Sequence, residues 1–370
     1  MELHGLDELL AHVRTAGSLV DVVVQGIDLS DETAMVLSVD CRGATFLGTG
    51  LTPSALVHVV ESGGVVFPRL GHLPFDPYRP RLYRRGELLE GWSADRPGSF
   101  EQALDTSIYR WASQHPRGSN VPLMDALAQR LHDHSIDDAL GEHLGSVSDV
   151  AAVMGGHGVL RSDPIYRTVT ELGRGMARSG WHVASGGGPG AMEAANLGAW
   201  LAREEPPALD RAIELLTAET RFSETDAYLA AGAAVLDAFP TGEPNLAVPT
   251  WFYGHEPTNQ FATHVAKYFA NSIREDGLLA IATRGVVFAP GAAGTVQEIF
   301  QDATQNHYDV FGVISPMVFL GADYWRSTLG AEPLLRQLAG DRPYGEMIGV
   351  ADTAEEAVDF LLAHPPVRPD

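Results

Sequence analysis

The sequence predicts an α/β protein, built as a doubly wound parallel sheet with helices on both faces and preceded by a smaller N-terminal α+β domain. Three observations predict it. From about residue 146 onward, short apolar runs alternate with helix-periodic segments, the pattern of a parallel sheet joined by crossover helices. Several of those apolar runs end in glycine-rich turns. The first 145 residues have a different texture, with strand-like runs rich in small turn residues and proline-rich connections.

In the C-terminal part, "DVAAVMGG" (149–156) is an apolar run closed by glycines, and so reads as a buried strand. "PIYRTVTELGRGMARSG" (164–180) has helical periodicity, with proline near its start and glycine at its end. "WHVASGGGPG" is a short strand running into a turn, and "AMEAANLGAWLARE" is the helix after it. Helical segments between about 204 and 238 read as an insertion. "LAVPTWF" reads as a strand and "FATHVAKYFANSIRE" as a helix. "GVVFAPGAAG" and "TVQEIFQDATQN" form another strand–turn–helix junction. "GVISPMVFLG" is a further strand and 353–364 a last helix.

In the N-terminal part, "LVDVVVQGIDLS" and "SVDCRGATFLGTG" read as strands, and "VPLMDALAQRLHDHSIDDALGEHL" as a helix. Small-residue rungs around Gly26 and Gly43 hint at stacked strand turns, although two rungs make no repeat. The domain boundary falls near "GSVSD" (145–149). This gives an accessory domain over 1–145, with a role in assembly or regulation, and a catalytic domain over 146–370.

Composition excludes several classes. The 25 basic and 48 acidic residues give a net charge of −23, which repels a nucleic-acid backbone and an anionic membrane. An anionic ligand must therefore be met locally, by helix N-termini or a few arginines. The single cysteine, Cys41, rules out an internal disulfide and a cysteine-rich metal site. With no basic leader or long apolar run, a cytoplasmic location is expected.

The chemistry concentrates in the glycine junctions "SGGGPGAMEAAN" (185–196) and "APGAAGTVQEIFQ" (289–301), with "MGGHG" (154–158) as a third. Glycine lets backbone approach an anion, and a helix N-terminus supplies unpaired N–H groups. Neither main loop fits the P-loop pattern or the dinucleotide fingerprint. Thr295 and Glu298 also fit a capping box, which is the bland reading of that glutamate.

These motifs carry a resemblance. "VMGGHGVLRSDPIYRTVTELGRGMARSGWHVASGGGPGAMEAANLGA" followed by "PGAAGTVQE" resembles the LOG ("lonely guy") family in its longer, two-domain form, over about residues 149–340. The family is Rossmann-like and was once labelled "possible lysine decarboxylase". The resemblance implies hydrolysis of the N-glycosidic bond of nucleoside 5′-monophosphates to free base and ribose 5-phosphate, with no cofactor and no metal. It implies catalytic roles for Glu298 and for Arg274, which stands sixteen positions before Pro290. Substrate contacts are expected from Gly156, from Gly186, Gly187, Gly188 and Gly190 with Met192 and Glu193, and from Asn259. The second loop adds Gly291, Ala292, Ala293, Gly294 and Thr295, with Ala292 where the family has its second glycine.

His255 and Asn259 in "YGHEPTN" are candidates to read base or ribose, an ordinary capped loop being the alternative. Glu193 and Asn196 are candidates for ribose hydroxyls, with helix packing as the alternative. "LHDHSIDD" (131–138) looks like a metal cluster but reads better as a solvated acidic helix face. "PYRPRLYRR" (77–85) reads as an interdomain salt-bridge strip, with closure over a neighbouring site as the alternative. The expected partners are the monophosphate substrate and further copies of the chain, as a homodimer or higher homo-oligomer. Two other readings stand beside the hydrolase: a nucleotide carrier or sensor without turnover, and a pyridoxal-phosphate decarboxylase. The last needs a Schiff-base lysine, and Lys267 is the only lysine.

Overall fold

The computed structural model describes residues 1–114 and 121–368. The chain groups into two compact units, Met1–Leu82 with Gln114–Gly141, and Tyr83–Ser113 with Glu142–Asp370. Residues 83–113, N-terminal in sequence, thus cluster with the C-terminal unit.

In the first unit strands and helices alternate: β1 (Glu2–Leu3), α1 (Leu6–Ala16), β2 (Val23–Gln25), α2 (Thr33–Ser38), β3 (Thr45–Leu47), α3 (Pro53–Glu61) and β4 (Val65–Phe67). They build a four-stranded sheet in the order β1-β2-β3-β4, with every pairing parallel. The α+β expectation therefore resolves into a small parallel α/β layer. It is also a repeat: Ser18 bridges Asp40, Val23 pairs with Thr45 and Asp28 bridges Gly50, all at the same 22-residue offset. Leu9, Leu19, Val24, Val36, Phe46 and Val59 fill its core.

Helices α4 (Arg85–Leu88), α5 (Leu104–Ser113) and α6 (Leu123–Leu144) follow. Segment 131–138 lies on α6 but is not a solvated face. His132 and Asp133 are buried, the His132 ring meets Phe75 edge-on at 5.2 Å, and Ser135 donates to the Pro77 carbonyl. No three of its potential ligands converge among the described residues. The 77–85 strip is also largely buried. Arg84 donates to the Thr263 carbonyl, and the Arg85 guanidinium sits 4.4 Å over the Trp200 ring.

The second unit contains β5 (Val150–Met154), α7 (Pro164–Arg178), β6 (His182–Ser185), α8 (Ala191–Trp200), α9 (Pro207–Leu216), α10 (Thr225–Ala238), β7 (Leu246–Ala247) and β8 (His264–Val265). It continues through α11 (Asn271–Ile281), β9 (Gly285–Phe288), α12 (Ala293–Tyr308), β10 (Met317–Leu320), α13 (Ala331–Ala339), β11 (Ile348–Ala351) and α14 (Ala354–Ala363). Its seven strands run in the order β11-β10-β9-β5-β6-β7-β8, all parallel. Taking β5 as first strand, this is the doubly wound order with one strand added beyond the third, and order reverses between β5 and β9. Ala151, Val153, Val183, Val287 and Val318 form the apolar centre against Tyr166, Leu172 and Leu197 from the covering helices. Helices α7 and α8 approach closely, since a Cβ on Gly198 would lie 2.0 Å from the Thr170 carbonyl oxygen.

One element departs from the sequence reading. Residues 261–270 are extended rather than helical, and α11 begins only at Asn271. Val265 exchanges backbone hydrogen bonds with Tyr83, and Ala266 donates to the Ala247 carbonyl, so strand pairing outweighs the helical spacing of Phe261, Val265 and Phe269. No helix among the described residues is long and apolar enough to cross a membrane.

Candidate functional site

At the point of strand-order reversal, three glycine turns meet. After β5, Gly156 N donates to the Pro290 carbonyl (3.0 Å), and the Gly156 carbonyl accepts from Ala191 N (3.2 Å) at the start of α8. Gly190 holds φ +72°, and a Cβ there would fall 2.6 Å from the Gly156 oxygen and 2.8 Å from the His157 oxygen. A Cβ on Gly291 would stand 2.1 Å from Thr295 Oγ1 and 3.0 Å from Gly156 N. The loops lock together through backbone, and side chains at these positions would pry them apart. Met192 packs back over its own loop, its sulfur 2.7 Å from a Cβ on Gly186 and its methyl 2.7 Å from one on Gly188.

The N-terminus of α12 opens outward. Ala292, Ala293 and Gly294 are exposed, and no side chain caps the helix. Its first N–H groups therefore lack intrahelical partners, a ready anion site. Ala292 has φ −106° and ψ −144°, a negative φ that needs no glycine, so the alanine in the motif is accommodated. Thr295 is buried beneath the turn, and Tyr324 donates to the Gly291 carbonyl at 2.5 Å.

One turn into α12, Glu298 is buried, and its Oε1 accepts from Arg274 Nη1 at 3.1 Å. Burial pushes the Glu298 carboxyl up to about 7; Arg274 opposes the rise and the neighbouring Glu275 adds to it. Arg274, also buried, donates its other amino group to Asn271 Oδ1 (3.0 Å), while its Nε is buried and without a partner among the described residues. Gly186 lies beside it, a Cβ there being 3.5 Å from Arg274 Nη1. The two residues implied as catalytic thus form one buried ion pair between the glycine loops.

Other expected contacts are engaged elsewhere. Both Glu193 oxygens face inward, accepting from Arg161 at 2.6 and 3.0 Å, from Tyr166 at 2.8 Å and from Tyr228 at 2.7 Å. This favours packing over a ribose contact. Asn196 and Asn259 belong to a buried amide chain: Asn259 donates to Asn196 (2.9 Å), which donates to Asn245 (2.8 Å). His255 is stacked between Phe100 and Tyr109 at 4.8 and 4.7 Å and shares a hydrogen bond with Thr106, and burial lowers its pKa. Lys267 is buried against Asp105 at 2.8 and 3.0 Å, an ion pair rather than a free amine.

Residues not singled out from sequence complete the cluster. Glu275 accepts from Gln297 (2.6 Å) and from the Tyr253 hydroxyl (3.3 Å), and Asn271 donates to the same hydroxyl (2.7 Å). Neither "NSIRED" nor "YGHEPTN" marks these residues by itself, because only folding joins the two segments.

The topology and switch-point loops decide the architecture. The fold is Rossmann-like. No protein-family model matches the sequence, and no curated protein does. Among solved structures, the molybdenum cofactor binding protein of Rippkaea orientalis is 13% identical, over 59% of this chain and 98% of that one, with a TM-score of 0.38. The molybdenum cofactor carrier protein of Chlamydomonas reinhardtii is 17% identical, over 59% of this chain and 100% of that one, with a TM-score of 0.36.

Proposed function

We propose that this chain hydrolyses the N-glycosidic bond of nucleoside 5′-monophosphates, in the manner of the LOG family its motifs resemble. The observation that carries the reading is the buried Glu298–Arg274 pair, one turn inside an uncapped, exposed helix N-terminus. A 5′-phosphate on the N–H groups at Ala293–Thr295 would bring C1′ toward Glu298. In the reaction the C1′–N bond breaks, its electron pair leaving with the base, while a water oxygen bonds to C1′. The departing base ends protonated. The Glu298 carboxylate opposes the positive charge that builds on the ribose and takes the proton of the attacking water. Arg274 opposes the rise that burial imposes on that carboxyl and so favours its ionised form.

A carrier without turnover could use the same cradle, so product analysis is the test. Incubated with EDTA, the protein should release adenine from AMP and almost none from adenosine, because phosphate anchoring supplies several charge-assisted hydrogen bonds of roughly 1.5–3 kcal/mol each. Glu298→Gln should lower turnover by at least about two orders of magnitude while retaining AMP binding. Binding of AMP without free base from the wild type would make the protein a carrier. Equal cleavage of AMP and adenosine would remove the phosphate from the scheme.

A further inference from the structure

The loop between β7 and β8 is clamped at both ends, yet its tip is left in solvent. Asp105 on α5 accepts from the Trp251 indole (2.7 Å), from Thr258 Oγ1 (2.7 Å) and from Lys267, fixing the loop before and after its tip. Trp251 N also donates to the Tyr268 carbonyl at 3.0 Å. Between these anchors Phe252 is 40% and Tyr253 59% exposed, their rings edge-on at 4.7 Å.

Tyr253 is not a loose surface tyrosine. Its hydroxyl accepts from Asn271 and donates to Glu275, the latter next to Arg274 on α11. The same loop reaches the first glycine turn from its other side, where Glu256 Oε2 lies 2.7 Å from a Cβ on Gly188. Holding an exposed ring by its hydroxyl costs side-chain freedom and buries little apolar area. The other exposed large aromatics among the described residues, Phe67, Tyr308 and Phe311, lie in the N-terminal repeat or at and beyond the far end of α12.

We infer that the Tyr253 ring is the platform on which the nucleobase stacks, and that this contact sets how strongly the site distinguishes a nucleotide from its sugar phosphate. The inference rests on the nucleotide reading above. With phosphate on the α12 turn and C1′ near Glu298, the base must leave the sugar on the side away from the phosphate, and the Tyr253 ring is anchored through its hydroxyl to Asn271 and Glu275, which flank Arg274 on α11. Stacking reads any π-face, so the ring selects for a base without choosing among bases.

The test compares AMP with ribose 5-phosphate by titration calorimetry in Glu298→Gln, whose turnover should be at least about two orders of magnitude slower. With Tyr253 intact, AMP should bind at least about tenfold more tightly, the range that base–aromatic stacking supplies. Adding Tyr253→Ala should bring the two affinities together by weakening AMP alone, and Tyr253→Phe should keep most of the difference. Because Tyr253 sits at an exposed tip, the alanine variant should retain the parent's circular dichroism spectrum; the phenylalanine variant gives the same comparison with the ring in place. If both ligands bind and the difference survives in Tyr253→Ala, the base rests elsewhere and this inference is wrong, with the nucleotide reading intact. If neither ligand binds the Tyr253-containing protein, the nucleotide reading fails and takes the inference with it.

Discussion

Glu298 is under two opposed influences. Burial favours its neutral acid, and the Arg274 guanidinium favours its anion, leaving the carboxyl titrating at about 7. A group that acts as a carboxylate works only above its pKa. Turnover of AMP should therefore rise with pH through about 7 and level off above roughly pH 8, falling near tenfold per unit on the acid side. The substrate phosphate has its own second ionisation near 6, so the limb belonging to Glu298 is the one that disappears in Glu298→Gln. A wild-type profile flat from pH 5 to 8 would show that this carboxyl does not titrate in the rate-limiting step. Glu298 and Arg274 were named from the sequence through the family motifs it resembles, and the fold brings them within 3.1 Å. Tyr253 and Glu275 were not, because their role depends on a loop and a helix meeting across 22 positions of chain. Glu193 was legible but misdirected: a carboxylate at a glycine-loop helix start looks like a ligand contact until Arg161, Tyr166 and Tyr228 are seen around it.

At the level of elements, the glycine turns separate into those that shape the loops and those that face outward. Gly190 is of the first kind, with positive φ and two carbonyl oxygens where a Cβ would go. Gly190→Ala should lose about 1–3 kcal/mol of stability and lower the melting temperature. Gly294 is of the second kind, exposed in the first turn of α12 with nothing within 4 Å of where a Cβ would stand. Gly294→Ala should melt at or slightly above the parent, since alanine suits a helix better by up to about 1 kcal/mol. It should nevertheless weaken AMP binding about tenfold or more, because the phosphate must approach bare backbone there. Unchanged affinity in Gly294→Ala would place the phosphate away from this turn. The strand–turn–helix junctions were readable because glycine and proline punctuate them. Residues 261–270 were misread because their apolar spacing fits a helix, whereas β8 is specified by pairing partners at Tyr83 and Ala247 that no local window contains. The N-terminal repeat showed in the sequence only as a hint at Gly26 and Gly43, because its strands of two or three residues are too short to show alternation.

For the whole molecule, the grouping of residues 83–113 with the C-terminal sheet has a direct consequence for dissection. A fragment beginning at Ser146 lacks Asp105 and leaves Lys267 buried without its carboxylate, a loss on the order of 3–5 kcal/mol. Burial works against the Asp105 anion, but Lys267 and Thr258 hold its pKa below the usual carboxylate range. The fragment 146–370 should therefore melt well below one spanning 83–370, and Asp105→Ala in the full chain should reproduce part of that difference. Equal melting of the two fragments would show that the pair adds nothing. The sequence placed a boundary near 145–149 on texture alone; a contact between positions 105 and 267 has no signature in either segment. The same ion pair makes the protein its own chemical reporter. Lys267 is the only side-chain primary amine in 370 residues and is 5% exposed. An amine-selective acylating reagent should thus leave every side chain of the folded protein unmarked, and would modify position 267 only when the loop bearing Trp251 and Thr258 lets go. The rate at which that single mark accumulates would measure how often this part of the molecule opens.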